Sequence, residues 1–348
     1  MRPRTNILFF FLIIPLLLSG CFGLGEKEEM DPPKTVTYEE DLGLDENGGQ
    51  LEEGESDQAN TVQTELYLID KNGYVVPKTF SLPSTESVAK QALAYLVEGG
   101  PITNLLPDDF RAVLPEGTDF TIDIQDGVAT IDFSNEFKEY APEDELKIVQ
   151  SVTWTITQFD TVDAVKLQIN GNELTEMPVN GTPIQSMLTR KNGINFQEEP
   201  VVDVTNTRPV TVYYVAQTDS DYYYVPVTKR ISNKREDTAK AIIEELIKGP
   251  DMHSELFSLL MPDVQLLEDP TINGGVVTVN FNENILGSYD QRLITKQVLE
   301  TIVLSLTEQE GIESVSVQVN GDTNLVTQEG EPLTEPVSRP KIVNASSF

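Results

Sequence analysis

TIDFSNE (Thr130–Glu136) is answered by TVNFNE (Thr278–Glu283), one residue shorter. From these two words a long repeat can be laid out in both directions. Upstream, LVEGGP (Leu96–Pro101) matches LIKGP (Leu246–Pro250), and FRAVLP (Phe110–Pro115) matches FSLLMP (Phe257–Pro262). Downstream, VKLQING (Val165–Gly171) matches VSVQVNG (Val315–Gly321), and near the start Tyr74–Pro77 matches Tyr223–Pro226. A unit this long is a globular domain written twice rather than a turn of a solenoid.

Each copy alternates strand and helix signals. Glu65–Ile69 and Val210–Val215 are short aliphatic and Tyr-rich runs followed by turn residues, Asp70–Gly73 in one and Thr218–Asp221 in the other. Val88, Ala89, Ala92, Leu93, Leu96 and Val97 recur at helical spacing, as do Ala239, Ile242, Ile243, Leu246 and Ile247. Asn233–Glu236 has the form of a capping box, and Gly99 and Gly249 suit the position just past a helix end. Phe120–Ile124 and Val128–Phe133 flank Asp126-Gly127 as a hairpin, with Val276–Phe281 after Asn273–Gly275 as its counterpart. A second helix carries Leu146, Val149, Val152, Ile156 and Phe159, matched by Leu293, Val298, Ile302 and Leu306. A last strand ends in Asn170-Gly171 or Asn320-Gly321. The expected fold is α+β: two tandem small domains, each a mixed sheet with two helices on one face. Domain 1 should occupy 64–185 and domain 2 209–338, with a connector at 186–208 and a tail at 339–348.

The start of the chain reads as an address. Arg2 and Arg4 precede an uncharged run from Ile7 to Leu18, and Leu18-Ser19-Gly20-Cys21 follows. A run of this length as a helix spans only about 18 Å, short of the roughly 30 Å hydrocarbon core, so 1–20 is read as a signal peptide. The ending resembles the lipobox of bacterial lipoproteins. That resemblance implies a diacylglyceryl, palmitate-type anchor on Cys21 and a place on the extracytoplasmic face of the membrane. Between Glu26 and Asp57 lie 13 acidic residues and 2 Lys, so 21–63 is expected to be a disordered acidic tether.

Composition excludes whole classes. With 24 Lys+Arg against 57 Asp+Glu, the net charge of −33 repels nucleic acid, which is not an expected partner. One Cys and one His in 348 residues exclude internal disulfides, Cys-based zinc sites and any site needing two imidazoles. No cofactor and no metal are expected.

LVEGGP or LIKGP, LPEGT (Leu114–Thr118) and IDFSNEF (Ile131–Phe137) together resemble the recurring words of the GerMN domain family. The second copy departs from the pattern at Met261–Gln265 and Val279–Ile285. The resemblance covers nearly everything from 64 to 337. It implies a domain like the ring-building modules of secretion systems, and a non-enzymatic factor of sporulation and germination. Such a factor would sit between mother cell and forespore membranes as a scaffold for the channel complex joining the two cells. Its partners would be proteins of that complex, and the resemblance to ring-building modules admits a homo-oligomer or ring. The alternative is a cortex peptidoglycan remodelling or hydrolysis factor.

Glu136 and Glu283 match, but Asp132 becomes Asn280, so the second copy lacks the local carboxylate pair a glycosidase needs. His253 lies in a loop with no partner motif and reads as solvated. Trp154, beside an apolar helical stripe, reads as core or subunit contact rather than a sugar platform. Asp219–Asp221 and Asn280–Asn284 lack EF-hand spacing and read as turn chemistry. Tyr213, Tyr214, Tyr222, Tyr223 and Tyr224 are a dense cluster, and strand alternation puts about half of them outside. Tyr213, Tyr222 and Tyr224 are therefore the interface candidates, set evenly against ordinary strand packing.

Overall fold

The computed structural model describes residues 60–196, 204–218, 221–235 and 237–345. The signal peptide, Cys21, nearly all of the tether, Asp219, Ser220 and Glu236 lie outside them. Asp57–Phe348 forms one compact unit that contains both copies.

Copy 1 runs β1 (Thr61–Asp70), β2 (Val75–Pro83), α1 (Val88–Ala94), β3 (Phe110–Arg111), β4 (Phe120–Gln125), β5 (Val128–Phe133), α2 (Glu145–Ile156), β6 (Ala164–Ile169) and β7 (Asn172–Glu173). Copy 2 runs β8 (Thr207–Gln217), β9 (Tyr222–Ser232), α3 (Thr238–Lys248), β10 (Thr271–Asn273), β11 (Val276–Phe281), α4 (Lys296–Thr307), β12 (Ser314–Val319) and β13 (Val337–Ser338). The architecture is α+β as expected, but each copy carries two sheets rather than one. The strand orders are β2-β1-β3 and β4-β5-β6-β7 in copy 1, and β8-β9 and β10-β11-β12-β13 in copy 2. In the four-stranded sheets only the pair joined through α2 or α4 is parallel.

The reason for the split lies in α2 and α4. Residues Ile148 to Ile156 are all buried, because α2 packs against both the first hairpin and β6. Polar side chains of α2, with Gln158 just past its end, meet the backbone of β1. Thr155 Oγ1 accepts from Tyr67 N at 3.1 Å, Gln158 Oε1 accepts from Glu65 N at 2.8 Å, and Ser151 Oγ donates to Tyr67 O. These side chains satisfy the edge of β1 that faces away from β2, which no strand covers along this stretch. In copy 2 Ser305 Oγ of α4 accepts from Tyr213 N at 2.9 Å and closes β8 likewise.

Local signals explain the rest. Asp126 and Gly127 take φ of 49° and 79°, the left-handed pair that a two-residue hairpin needs. Helix α1 ends at Ala94, earlier than its apolar spacing suggests. Leu96 instead turns its carbonyl to Val113 N and Leu114 N, drawing the chain after it out of the α-helix until a short 3-10 turn begins at Pro101. Helix α3 begins at Thr238, and its cap is Asp237, which accepts from Lys240 N at 2.9 Å, so the box at Asn233–Glu236 is not the start.

Within the expected connector and tail, residues 190–195 and 339–344 form a matching last segment of each copy. Arg190, Ile194 and Asn195 correspond to Arg339, Val343 and Asn344. Each of these short clasps docks on the other copy. Thr228 N of β9 donates to Ile194 O, and Ile194 N donates to Thr228 Oγ1, both at 2.8 Å. Reciprocally, Thr79 N of β2 donates to Val343 O at 3.0 Å, and Val343 N donates to Thr79 Oγ1 at 2.8 Å. The Asn195 amide accepts from Val75 N and donates to Val75 O and Pro226 O, at 2.8, 2.7 and 2.8 Å. The Asn344 amide repeats this with Tyr224 N, Tyr224 O and Pro77 O, at 2.7, 2.8 and 2.8 Å. Both Asn residues have positive φ, 47° and 52°, which Asn tolerates better than other side chains. The contacts exchange under a pseudo-twofold, and one hydrophobic core runs through both copies.

Glu145 at the start of α2 is a staple found in copy 1 alone. Its buried carboxylate accepts from Val179 N, Asn180 N and Thr182 N at 3.0, 2.7 and 3.0 Å, and from Tyr140 OH at 2.9 Å. Burial pushes its pKa up, but these donors overrule it and hold the pKa at about 2. Copy 2 has Thr295 there, an N-cap accepting from Val298 N. A carboxyl depressed below its unfolded value near 4.3 stabilises fully above about pH 5. That contribution drains away as pH falls toward 2. Glu145→Gln is therefore expected to cost about 2 kcal/mol at neutral pH and to flatten the acid limb of the stability curve, read by urea unfolding. An unchanged acid limb would show that the staple carries no such charge.

Candidate functional site

Of the three Tyr residues expected at a partner surface, the structure withdraws two. Tyr213 is fully buried and Tyr224 nearly so. The cause is that the β8–β9 hairpin is covered on both faces. Helix α4 and the clasp lie on one side, where Tyr213 and Tyr224 pack with Leu304 and Val343. On the other side Tyr214 OH donates to Glu245 O of α3 at 2.9 Å. Alternation therefore sorts side chains between two interiors, not between interior and solvent. Tyr222 is 39% exposed and stays a surface residue.

Tyr213 belongs to a charged rivet joining the copies. Its hydroxyl lies 3.1 Å from Glu308 Oε2, to which it donates, and it accepts from Arg339 Nη2 at 3.0 Å. Arg190 Nη1 reaches Glu308 Oε1 at 2.8 Å, and Arg339 Nη1 reaches Oε2 at 3.2 Å. Arg190 also lies 4.5 Å above the Trp154 ring, which settles Trp154 as core. Burial opposes ionisation of Glu308, but the two guanidinium groups overcome it and hold its carboxyl below the usual range.

The carboxylates considered for hydrolysis are otherwise engaged. Asp132 accepts from Gly171 N at 2.9 and 3.0 Å, and Asn280 accepts from Gly321 N at 2.9 Å. The two residues thus hold equivalent Asn-Gly turns, which is why Asp and Asn interchange here. Glu136 and Glu283 have their pKa lowered, by the Ser134 hydroxyl and by the Asn320 amide respectively. A general acid needs the opposite shift. His253 is exposed beside Asp251. No group of three His, Cys, Asp or Glu suited to a metal occurs among the described residues.

Two clefts open where the copies meet. The larger, about 990 Å³, is lined by Arg190, Lys191, Arg208, Pro209, Ile272 and the end of α4. Its cations are committed: Arg190 to Glu308, Lys191 to Glu310 at 3.2 Å, and Arg208 to Arg235 O and Thr238 Oγ1 at 2.7 and 2.9 Å. The other, about 700 Å³, is walled by Phe110 and Asp109 of copy 1 and by Asp221, Tyr222 and Tyr224 of copy 2, with Lys296 and Glu300 from α4. Lys78 of β2 lines it too, only 8% exposed, with its ammonium 4.5 Å from the Phe110 ring centre. Burial lowers the pKa of Lys78, and Asp221 and Asp109 oppose that shift only in part. Lys78 was missed in the sequence. Its one signal is a cation inside the apolar run VVPKTFSL, where copy 2 has Val227.

Comparison with known proteins places this geometry. A family model described as "Germane: Sporulation and spore germination" matches residues 65–175 and 211–325. The chain is 53% identical, over 96% of its length and 95% of the relative's, to the spore germination protein GerM of Bacillus subtilis (strain 168). The solved structure of the tandem GerMN domains of that sporulation protein from Bacillus subtilis is 56% identical. It matches with a TM-score of 0.78, covering 82% of this chain and all of that one.

Two substitutions separate buried from exposed Tyr. Tyr213→Phe strips a hydroxyl from the rivet and should cost about 1–3 kcal/mol, whereas Tyr222→Ala should stay within about 0.5 kcal/mol. Thermal unfolding of both variants reads the difference, and equal effects would contradict the placement of Tyr213.

Proposed function

The chain belongs to the Germane family of sporulation and spore germination proteins, and on that premise we propose that it is a lipid-anchored, non-enzymatic scaffold for an envelope-spanning channel complex between mother cell and forespore. The observation that carries this reading is the 53% identity across 96% of the chain to a spore germination protein. The lipobox-like Leu18–Cys21 supports anchoring through a diacylglyceryl group on Cys21, with the folded unit held off the membrane by the acidic stretch that follows. The engagement of Asp132 and Asn280 in matching turns, and the depressed pKa of Glu136 and Glu283, favour a scaffold over a hydrolase. The unit offers protein partners composite surfaces built from both copies, and its strong negative charge favours basic counterparts.

Two variants test the reading in a spore-forming host that depends on this chain. Cys21→Ser should release the protein from the membrane fraction, abolish incorporation of labelled palmitate and reduce spore yield. The double variant Glu136→Gln with Glu283→Gln should leave spore yield unchanged. Loss of sporulation in the double variant, with folding intact, would favour wall chemistry instead.

A further inference from the structure

The ammonium of Lys78 is the odd group in this unit. The Lys78 side chain is only 8% exposed, yet among the described residues no hydrogen bond or ion pair reaches its ammonium, which lies 4.5 Å from the Phe110 ring centre. The two carboxylates that act on it are turned elsewhere. Asp109 faces Lys71 at 3.4 Å, and Asp221 accepts from Tyr222 N at 2.8 Å. A ring face satisfies an ammonium only in part, because three N–H donors remain to be met. Those donors open onto the 700 Å³ cleft, where no hydrogen bond or ion pair from the described residues claims them. The cations of the larger cleft, by contrast, are all taken.

We propose that this cleft is a peptide-docking site, in which Lys78 receives a carboxylate from an extended segment of a protein partner and the acidic rim receives a basic residue beside it. The charge pattern selects this ligand. Asp109, Asp221 and Glu300 around a single buried ammonium would repel a phosphate dianion. A carboxylate with a neighbouring Lys or Arg neutralises both parts of the cleft. Tyr222 and Phe110 supply aromatic surface for the segment between the two charges. Because Val227 stands where copy 1 has Lys78, the site arises once per chain. Because its walls come from β2, β9 and α4, neither copy forms it alone. The inference deepens the scaffold reading and rests on it. It can nonetheless fail by itself, since a scaffold may use other faces while membrane release by Cys21→Ser is unaffected.

The test is an NMR titration of the labelled Asp57–Phe348 unit, which packs as one body. The probes are synthetic end-blocked hexapeptides containing an Asp–Lys or Lys–Asp pair among Leu and Tyr. Controls have the Asp replaced by Asn, or the Lys by Ala, and a peptidoglycan stem peptide forms a separate arm. Millimolar binding is expected to shift the signals of Lys78, Tyr222 and Lys296. Lys78→Met should weaken it about tenfold, and the Asn control should lose a similar factor. Thermal unfolding of Lys78→Met beside the parent guards against a folding defect. Equal binding to Lys78→Met, equal binding of the Asn control, absence of shifts at the cleft, or binding of the stem peptide alone would each overturn the proposal.

Discussion

The fold depends on two side-chain amides standing in for strands. Asn195 and Asn344 each pair with both backbone groups of one strand residue and reach a carbonyl of the other copy. A free strand edge is a row of unmet donors and acceptors, and buried ones cost about 1–3 kcal/mol each. By meeting them across the boundary, the clasps turn two small hairpin domains into one body. The rivet of Arg190, Arg339, Glu308 and Tyr213 then makes separation of the copies strand a buried charge.

This arrangement bears on how the unit assembles with others. A reciprocal, twofold interface is used up once formed, unlike a head-to-tail contact that repeats into rings. The clasp faces are therefore spent within the chain. A ring, if this chain enters one, has to be built through other surfaces. The pseudo-symmetry is broken where chemistry differs: Lys78 against Val227, Glu145 against Thr295, Gln158 against Glu308. These exchanges give the two copies distinct outer faces on a common frame, and the cleft at Lys78 is one product.

Much of the frame was legible because its signals are local. Asp126-Gly127, Asn170-Gly171 and Asn320-Gly321 demand positive φ and obtain it. The repeat itself exposed the matching strands and helices. What escaped was tertiary. The helical stripe of α2 gave no hint that Ser151, Thr155 and Gln158 would close a strand edge and so divide the sheet. Two of the three Tyr candidates, Tyr213 and Tyr224, lie inside because alternation cannot tell solvent from a second covering layer. The clasps, Arg190–Asn195 and Arg339–Asn344, share only three matching positions. That is too little for a periodicity argument, though aligning the copies past the last strand would have shown the Arg and Asn in register.

Whether the two copies form one cooperative body can be measured by differential scanning calorimetry of the Asp57–Phe348 unit, alongside a version carrying Asn195→Ala and Asn344→Ala. One transition is predicted for the parent, with calorimetric and van't Hoff enthalpies equal, and two separated transitions for the double variant. Two independent transitions in the parent would contradict the clasp as the constraint that makes the copies one.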